Sequence, residues 1–298
     1  MKQGILIIAH KNLSHLIKIV DWFNNDFLFF IHIDKKTLPK INEIELLKKK
    51  NNVVLVCQKY CVNWGGVNHL KAIIFLIQKA LEYEDVEYFH LISTSDFPIK
   101  DYQYFRDFFL KNKGKEFLEY SELPEKNWSG NGGLDRLLYF RFYDIFNAKN
   151  KFNNLILELT YIIQKKIHLI RQIDKKFPKL YGGSTWWTLS RECLKYVMNF
   201  LKTNPHFLMR FRFSFCAEEI FFQTIILNSN FKEKIINNNL RFIEWENRNG
   251  NCPANLDESD YNKILNCEKL FARKFEYPVS LSLLNMLILN KSHLCIFR

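Results

Sequence analysis

Glycine and proline are scarce. The 298-residue chain holds 10 Gly and 7 Pro, which excludes collagen-like, linker-like and low-complexity sequences. Cysteine is present without a pattern. None of Cys57, Cys61, Cys193, Cys216, Cys252, Cys267 and Cys295 forms a C-x-x-C pair, so a zinc framework lacks its close ligands. An odd count without pairing reads as reduced thiols in a reducing compartment. No uninterrupted apolar run approaches the roughly 18 residues of a spanning helix. The run Ile5–Ala9 suits a buried strand better than a signal-peptide core. The phosphate-cradling G-x-x-x-x-G-K-[ST] loop, H-E-x-x-H, the EF-hand loop and G-x-S-x-G are all missing. Gly130-Asn131-Gly132-Gly133 fails the dinucleotide fingerprint and follows no convincing strand. Asp-x-Asp occurs nowhere. A chain that handled a sugar nucleotide without that cation-holding pair would have to neutralise its diphosphate with Lys or Arg.

What is present is apolar and aromatic. Hydrophobic residues make up 48% and aromatics 16%, with 28 Phe, which excludes global disorder. The net charge is +12, and such a balance points first to nucleic acid or an anionic surface. Strand-like runs at Gly4–Ala9, Phe27–Ile33, Val53–Cys57 and Tyr88–Ile92 alternate with helical spacing at Leu13–Phe23 and Val67–Leu81. That alternation predicts an α/β fold with a mainly parallel central sheet flanked by helices. Ligands of such sheets sit at the carboxyl ends of the strands, where Asp34 and Ser93–Asp96 fall.

The middle of the chain predicts a Gly-rich loop at Asn127–Asp135 and a long helix over Leu155–Ile173. Lysines and arginine crowd Lys165–Lys179. This run is read as a solvated face, with contact to an anionic membrane as the alternative. Phe177 is its only Phe, Tyr or Trp, too few for interleaved stacking, so nucleic acid is not expected as a partner. Tyr181–Ser190 is strand-like after its glycines, and Glu218–Asn228 is helical. No linker or internal repeat appears, so residues 1–277 are expected to form one catalytic domain. Residues 278–298 form an apolar tail that packs on the core, a membrane or another subunit.

Three constellations could carry chemistry. Glu218 and Glu219 open an otherwise apolar helix. Apolar surroundings raise a carboxyl pKa and suit proton abstraction, whereas acids in a first turn are also ordinary capping. Arg241 and Lys274 are cations among aromatic and apolar residues, which require a diphosphate or a buried carboxylate as partner. Gly182-Gly183-Ser184-Thr185-Trp186-Trp187 joins close-approach glycines to two Trp, of which Trp187 is expected in the core.

Eight pieces occur in order: Ala9-His10; Ile31-His32-Ile33-Asp34-Lys35; Trp64-Gly65-Gly66; Leu91 through Ser95-Asp96-Phe97-Pro98; Gly183 through Glu192; Glu218-Glu219; Arg241 through Trp245; and Phe271-Ala272-Arg273-Lys274-Phe275. Together they resemble the core-2/I-branching glycosyltransferases, glycosyltransferase family 14, which also holds the peptide O-xylosyltransferases. The resemblance implies a GT-A-like Rossmann-type fold, an inverting mechanism, a UDP-sugar donor as substrate, and no cofactor or divalent metal. The family's Ser-Pro-Asp-Glu falls on Cys216-Ala217-Glu218-Glu219, making Glu219 the catalytic base. Arg241 and Lys274 fall on the diphosphate-binding positions. His10, Asp34, Ser95 and Asp96 fall near the nucleotide, and Ser184, Trp186 and Glu218 near the acceptor. The transferred sugar is expected to be N-acetylglucosamine, then xylose, and the acceptor a glycan or lipid-linked saccharide. A catalytically inactive sugar-binding protein of the same fold is the alternative. The expected location is cytoplasmic, peripheral on the inner face of the membrane.

Overall fold

The structure is a computed structural model. It describes residues 1–296, with side chains through residue 290. Twelve strands are described: β1 (Lys2–Ala9), β2 (Phe27–Ile33), β3 (Val53–Cys57), β4 (Val86–Ser93), β5 (Asp96–Pro98), β6 (Glu116–Leu118), β7 (Ser121–Glu122), β8 (Tyr181–Gly182), β9 (Trp187–Ser190), β10 (Ile235–Ile236), β11 (Arg241–Ile243) and β12 (Phe271–Arg273). The main sheet has the order β10-β6-β9-β4-β1-β2-β3. All its pairings are parallel except those of β9, which runs antiparallel to β4 and β6. This is the mainly parallel α/β sheet that the alternating pattern predicts.

Both faces of that sheet are buried, which is why its strands read as continuous apolar runs. Side chains still alternate between faces. In β1, Ile5, Ile7 and Ala9 join one core cluster while Leu6 and Ile8 join the other. The first cluster packs against the helices Leu13–Trp22 and Tyr102–Lys111, with Phe23, Phe27 and Phe105 in edge and tilted ring contacts. The second packs against Val67–Ala80, Arg191–Thr203 and Glu218–Leu227.

β9 determines what reaches the ligand edge. Because it is reversed, its first residue lies beside the carboxyl end of β4, with His90 opposite Thr188 and Tyr88 opposite Ser190. The segment before it, Gly183–Trp186, therefore arrives at the same edge as Asp34 and Ser93–Asp96. A second sheet, β11-β12-β5, covers this edge and pairs Arg273 with Asp96 in register.

Arg241 joins the two sheets. Its guanidinium donates to the carbonyls of Leu91 (2.8 Å), Trp187 (3.0 Å) and Asn239, and to Thr188 Oγ1 (3.1 Å). Thr188 Oγ1 meets His90 Nδ1 at 3.0 Å, and His90 Nε2 meets Gln3 Oε1 at 2.8 Å. Burial holds Arg241 down to about 9 and, with Arg241 nearby, holds His90 well below the usual imidazole range.

One sequence expectation changes, and one of the three places expected for the tail is observed. The long helix spans Lys151–Lys166, not Leu155–Ile173. His168 adopts a positive φ and Leu169 N–H bonds back to Gln164 (2.9 Å), the closure that ends a helix. The apolar tail opens as the helix Leu281–Ile296, whose Leu283, Leu284 and Leu287 are buried in the first cluster. Residues 297 and 298 of that tail lie outside the described residues. No described helix is long and apolar enough to cross a membrane.

Arg241→Lys keeps the charge but cannot reach four acceptors. Buried carbonyls left unpaired cost about 1–3 kcal/mol each. A drop of about 3 kcal/mol in unfolding free energy is expected by urea denaturation, and a change below about 0.5 kcal/mol would remove the junction role.

Candidate active site

The site is built on the first turn of the helix Glu218–Leu227. Cys216, at positive φ, donates its N–H to the Gly65 carbonyl at 3.0 Å and swings the chain into the helix. Gly65 is itself at φ +79°, and a Cβ there would lie 2.4 Å from the Phe215 ring. Gly183 donates to the Glu219 carbonyl at 2.8 Å. A Cβ on Gly183 would sit 1.9 Å from the Glu119 carbonyl oxygen, so no other residue allows this approach.

The two carboxylates of this turn have different surroundings. Glu218 is buried, with Oε1 at 2.9 Å from His69 Nδ1 and Oε2 without a partner. Glu219 is 28% exposed and forms an ion pair with Arg136. Thr185 Oγ1 lies 3.5 Å from its other oxygen. Burial pushes the Glu219 carboxyl above the ordinary range, Arg136 opposes this, and Glu218 adds to it. The result is a carboxylate that is reachable, basic and oriented, which are the requirements of a general base.

Arg136 comes from the Gly-rich segment. The expected loop keeps left-handed backbone from Gly130 to Gly133, and the short helical turn Asp135–Leu138 that follows presents the Arg136 guanidinium over the Trp128 ring at 4.2 Å. On β12, the Arg273 guanidinium lies 4.3 Å over the Trp186 ring and 3.8 Å from Asp96 Oδ1. Neither Asp96 Oδ1 nor Arg273 Nη1 has a hydrogen-bond partner. Burial lowers Arg273, while Asp96 and Glu219 support its charge. Lys274 is half-buried and has no ion-pair partner among the described residues. Burial and then the Arg273 charge lower its pKa. Two adjacent cations that lack full partners suit an anionic ligand.

The nucleotide-side candidates share the carboxyl edge of the sheet. Asp34 donates its N–H to the Ala9 carbonyl (2.7 Å), and its Oδ1 accepts from Lys36 N–H (3.1 Å) and Val62 N–H (3.0 Å). His10 is exposed, and its carbonyl accepts from Thr37 Oγ1 at 2.9 Å. Ser95 N–H donates to Ser93 Oγ, and Asp96 Oδ2 accepts from Ser93 N–H (2.7 Å) and Oγ (2.6 Å). Ser184 and Trp186 are half-buried beside the helix, with the Ser184 carbonyl accepting from Gln223 at 2.7 Å.

Arg241 is the residue that the structure moves out of the site. The residue is 2% exposed and both of its Nη atoms are committed to the sheet junction, which leaves neither for a diphosphate. Arg273 leaves its Nη1 without a hydrogen bond beside Asp96 and feels the Glu219 charge. The expectation missed it because Arg273 adjoins Lys274 in one run, and only the pairing with Asp96 shows which side chain faces inward. Arg136 and His69 were also missed, since each is a lone basic residue without a motif. Among the described residues no three His, Cys, Asp or Glu side chains converge as a metal-ligand group.

The sequence profile of the Core-2/I-Branching enzyme family matches residues 6–266. Xylosyltransferase 2 of Canis lupus familiaris is 25% identical over 316 residues, covering 96% of this chain and 33% of its own length. Xylosyltransferase oxt of Drosophila pseudoobscura pseudoobscura is 24% identical over 292 residues, covering 90% and 30%. The chain thus spans about a third of the length of the curated relatives it matches. Among solved structures, the WbbM bifunctional glycosyltransferase has a TM-score of 0.39 and 14% identity, covering 91% of this chain and 45% of its own. Staphylococcus aureus TarS 1–349 has a TM-score of 0.38 and 12% identity, covering 78% and 57%. The matched span takes in the second half of the opening strand, Asp34, Ser93–Asp96 and the helix that carries Glu219, and the chain belongs to the Core-2/I-Branching enzyme family.

Proposed function

We propose that this chain is an inverting glycosyltransferase that moves a sugar from a UDP-sugar to a hydroxyl of a glycan or lipid-linked saccharide. One observation carries the reading: a partly exposed, raised-pKa carboxylate on Glu219 lies within electrostatic reach of Arg273, which adjoins Lys274. Family membership supports the reaction class.

Glu219 accepts the proton of the acceptor hydroxyl as its oxygen attacks the anomeric carbon. The bond from that carbon to the diphosphate oxygen breaks, and its electron pair leaves with UDP. Arg273 and Lys274 stabilise the growing charge in the role that a divalent cation has elsewhere. Arg136 holds the Glu219 carboxylate in place, and the Trp186 face receives the acceptor. His10, Asp34, Ser95 and Asp96 surround the nucleotide. We take N-acetylglucosamine as the transferred group. Xylose is the second reading, favoured by the names of the xylosyltransferase relatives.

Glu219→Gln should lower turnover by roughly 10²–10⁴-fold while UDP affinity, read by calorimetry, holds. Near-parental turnover would remove Glu219 as the base. Because the base must be ionised and its pKa is raised, activity should fall as pH drops through a value above the ordinary glutamate pKa of about 4.3. A kcat/KM profile with its acid limb at or below that value contradicts this. Arg273→Ala and Lys274→Ala should each weaken UDP binding by about 10-fold or more. Turnover across a UDP-sugar panel should survive excess EDTA, and complete loss restored by Mn²⁺ would refute the metal-free mechanism.

A further inference from the structure

The helix Lys151–Lys166 is built inside out. Its buried residues are Leu157 and Gln164, and the helical repeat places Asn153, Thr160 and Tyr161 beside them. Hydrogen bonds rather than apolar packing fasten this inward face. Gln164 exchanges bonds with the backbone of Phe140, donating at 3.0 Å and accepting at 2.8 Å. Tyr161 donates to Asp135 at 2.5 Å, and its ring lies 3.5 Å beneath the Arg141 guanidinium.

The apolar residues are left on the opposite face. Phe152, Leu155, Leu159, Ile162 and Ile163 are between 45% and 69% exposed, and Ile167 continues them at 63%. Single exposed apolar residues are ordinary, but a whole helix face of them marks an interaction surface. Lys151 and Lys166 lie on this same face at its two ends, with Lys149 one step earlier. All three are exposed and without an ion pair among the described residues. Glu158 is the sole acid between Ile145 and Ile173.

We propose that this helix lies flat on an anionic phospholipid surface, its apolar face among the acyl chains and its terminal lysines among the headgroups. An apolar stripe bounded by lysines has the chemistry of such a surface. A second copy of the chain fits poorly. Parallel pairing sets Lys151 against Lys151 and antiparallel pairing sets Lys151 against Lys166, so cations meet cations either way. The inference does not depend on the glycosyltransferase reading, because it concerns a different face and requires no donor.

Vesicle co-sedimentation of the whole chain tests it. Partition should be about 10-fold or more stronger onto vesicles containing phosphatidylglycerol than onto phosphatidylcholine alone, and it should weaken as salt rises. Leu159→Asn with Ile163→Asn, and separately Lys151→Glu with Lys166→Glu, should each lower it about 10-fold or more. Lys111→Glu with Lys113→Glu, exposed elsewhere, should leave it unchanged. Thermal unfolding midpoints close to the parent's establish that the variants fold. Equal partition onto both vesicle types overturns the proposal, as does parental binding by the apolar variant. A soluble dimer that Leu159→Asn with Ile163→Asn splits, without vesicle binding, would assign the face to a second copy.

Discussion

The hydrogen bonds of one buried guanidinium hold the two sheets together. Arg241 opens β11, yet its donors end on carbonyls of β4 and β9, and through Thr188 and His90 they reach Gln3 on β1. A charge this deep needs partners, and both Nη atoms have them while Nε does not. The small sheet cannot slide over the large one without breaking these bonds. β12 is carried on β11, so the place of Arg273 in the cleft follows from Arg241. The separation of the cationic wall from Glu219 is therefore fixed by the core, away from the ligand.

The cleft is arranged as opposed charges that do not fully cancel. Glu219 is paired by Arg136 from one side and feels Arg273 from the other. Asp96 faces Arg273 at 3.8 Å, too long for a good hydrogen bond. Lys274 is close to the same point without a carboxylate of its own. The proposed reaction would use this imbalance to keep anion binding, at Arg273 and Lys274, apart from proton acceptance, at Glu219.

The fold was largely legible because its signals are physical. A sheet buried on both faces writes itself as apolar runs, and β2 spans Phe27–Ile33 as expected. The helix bearing Glu219 was equally clear. The cations were less so. Arg241 and Lys274 both stand among aromatic residues, and sequence cannot distinguish a cation satisfied by backbone carbonyls from one left for a ligand. That distinction depends on which strands are neighbours. The end of the helix Lys151–Lys166 was missed for a local reason, since His168 supplies the left-handed closure in place of the glycine usually found there. Its inverted face was hidden too, because periodicity shows that a helix is amphipathic and not which side meets the protein.

The segment Ser184–Trp186 has no slack. Gly183 is tied to the Glu219 carbonyl and wedged against Glu119, Ser184 is tied to Gln223, and Trp187 is already locked in the main sheet. Three residues bridge fixed points. An added or deleted residue would shift β9 by one position and turn its buried side chains to the wrong faces. Change along this segment must therefore proceed by exchanging side chains at constant length, and related chains should differ there in composition while keeping the same spacing.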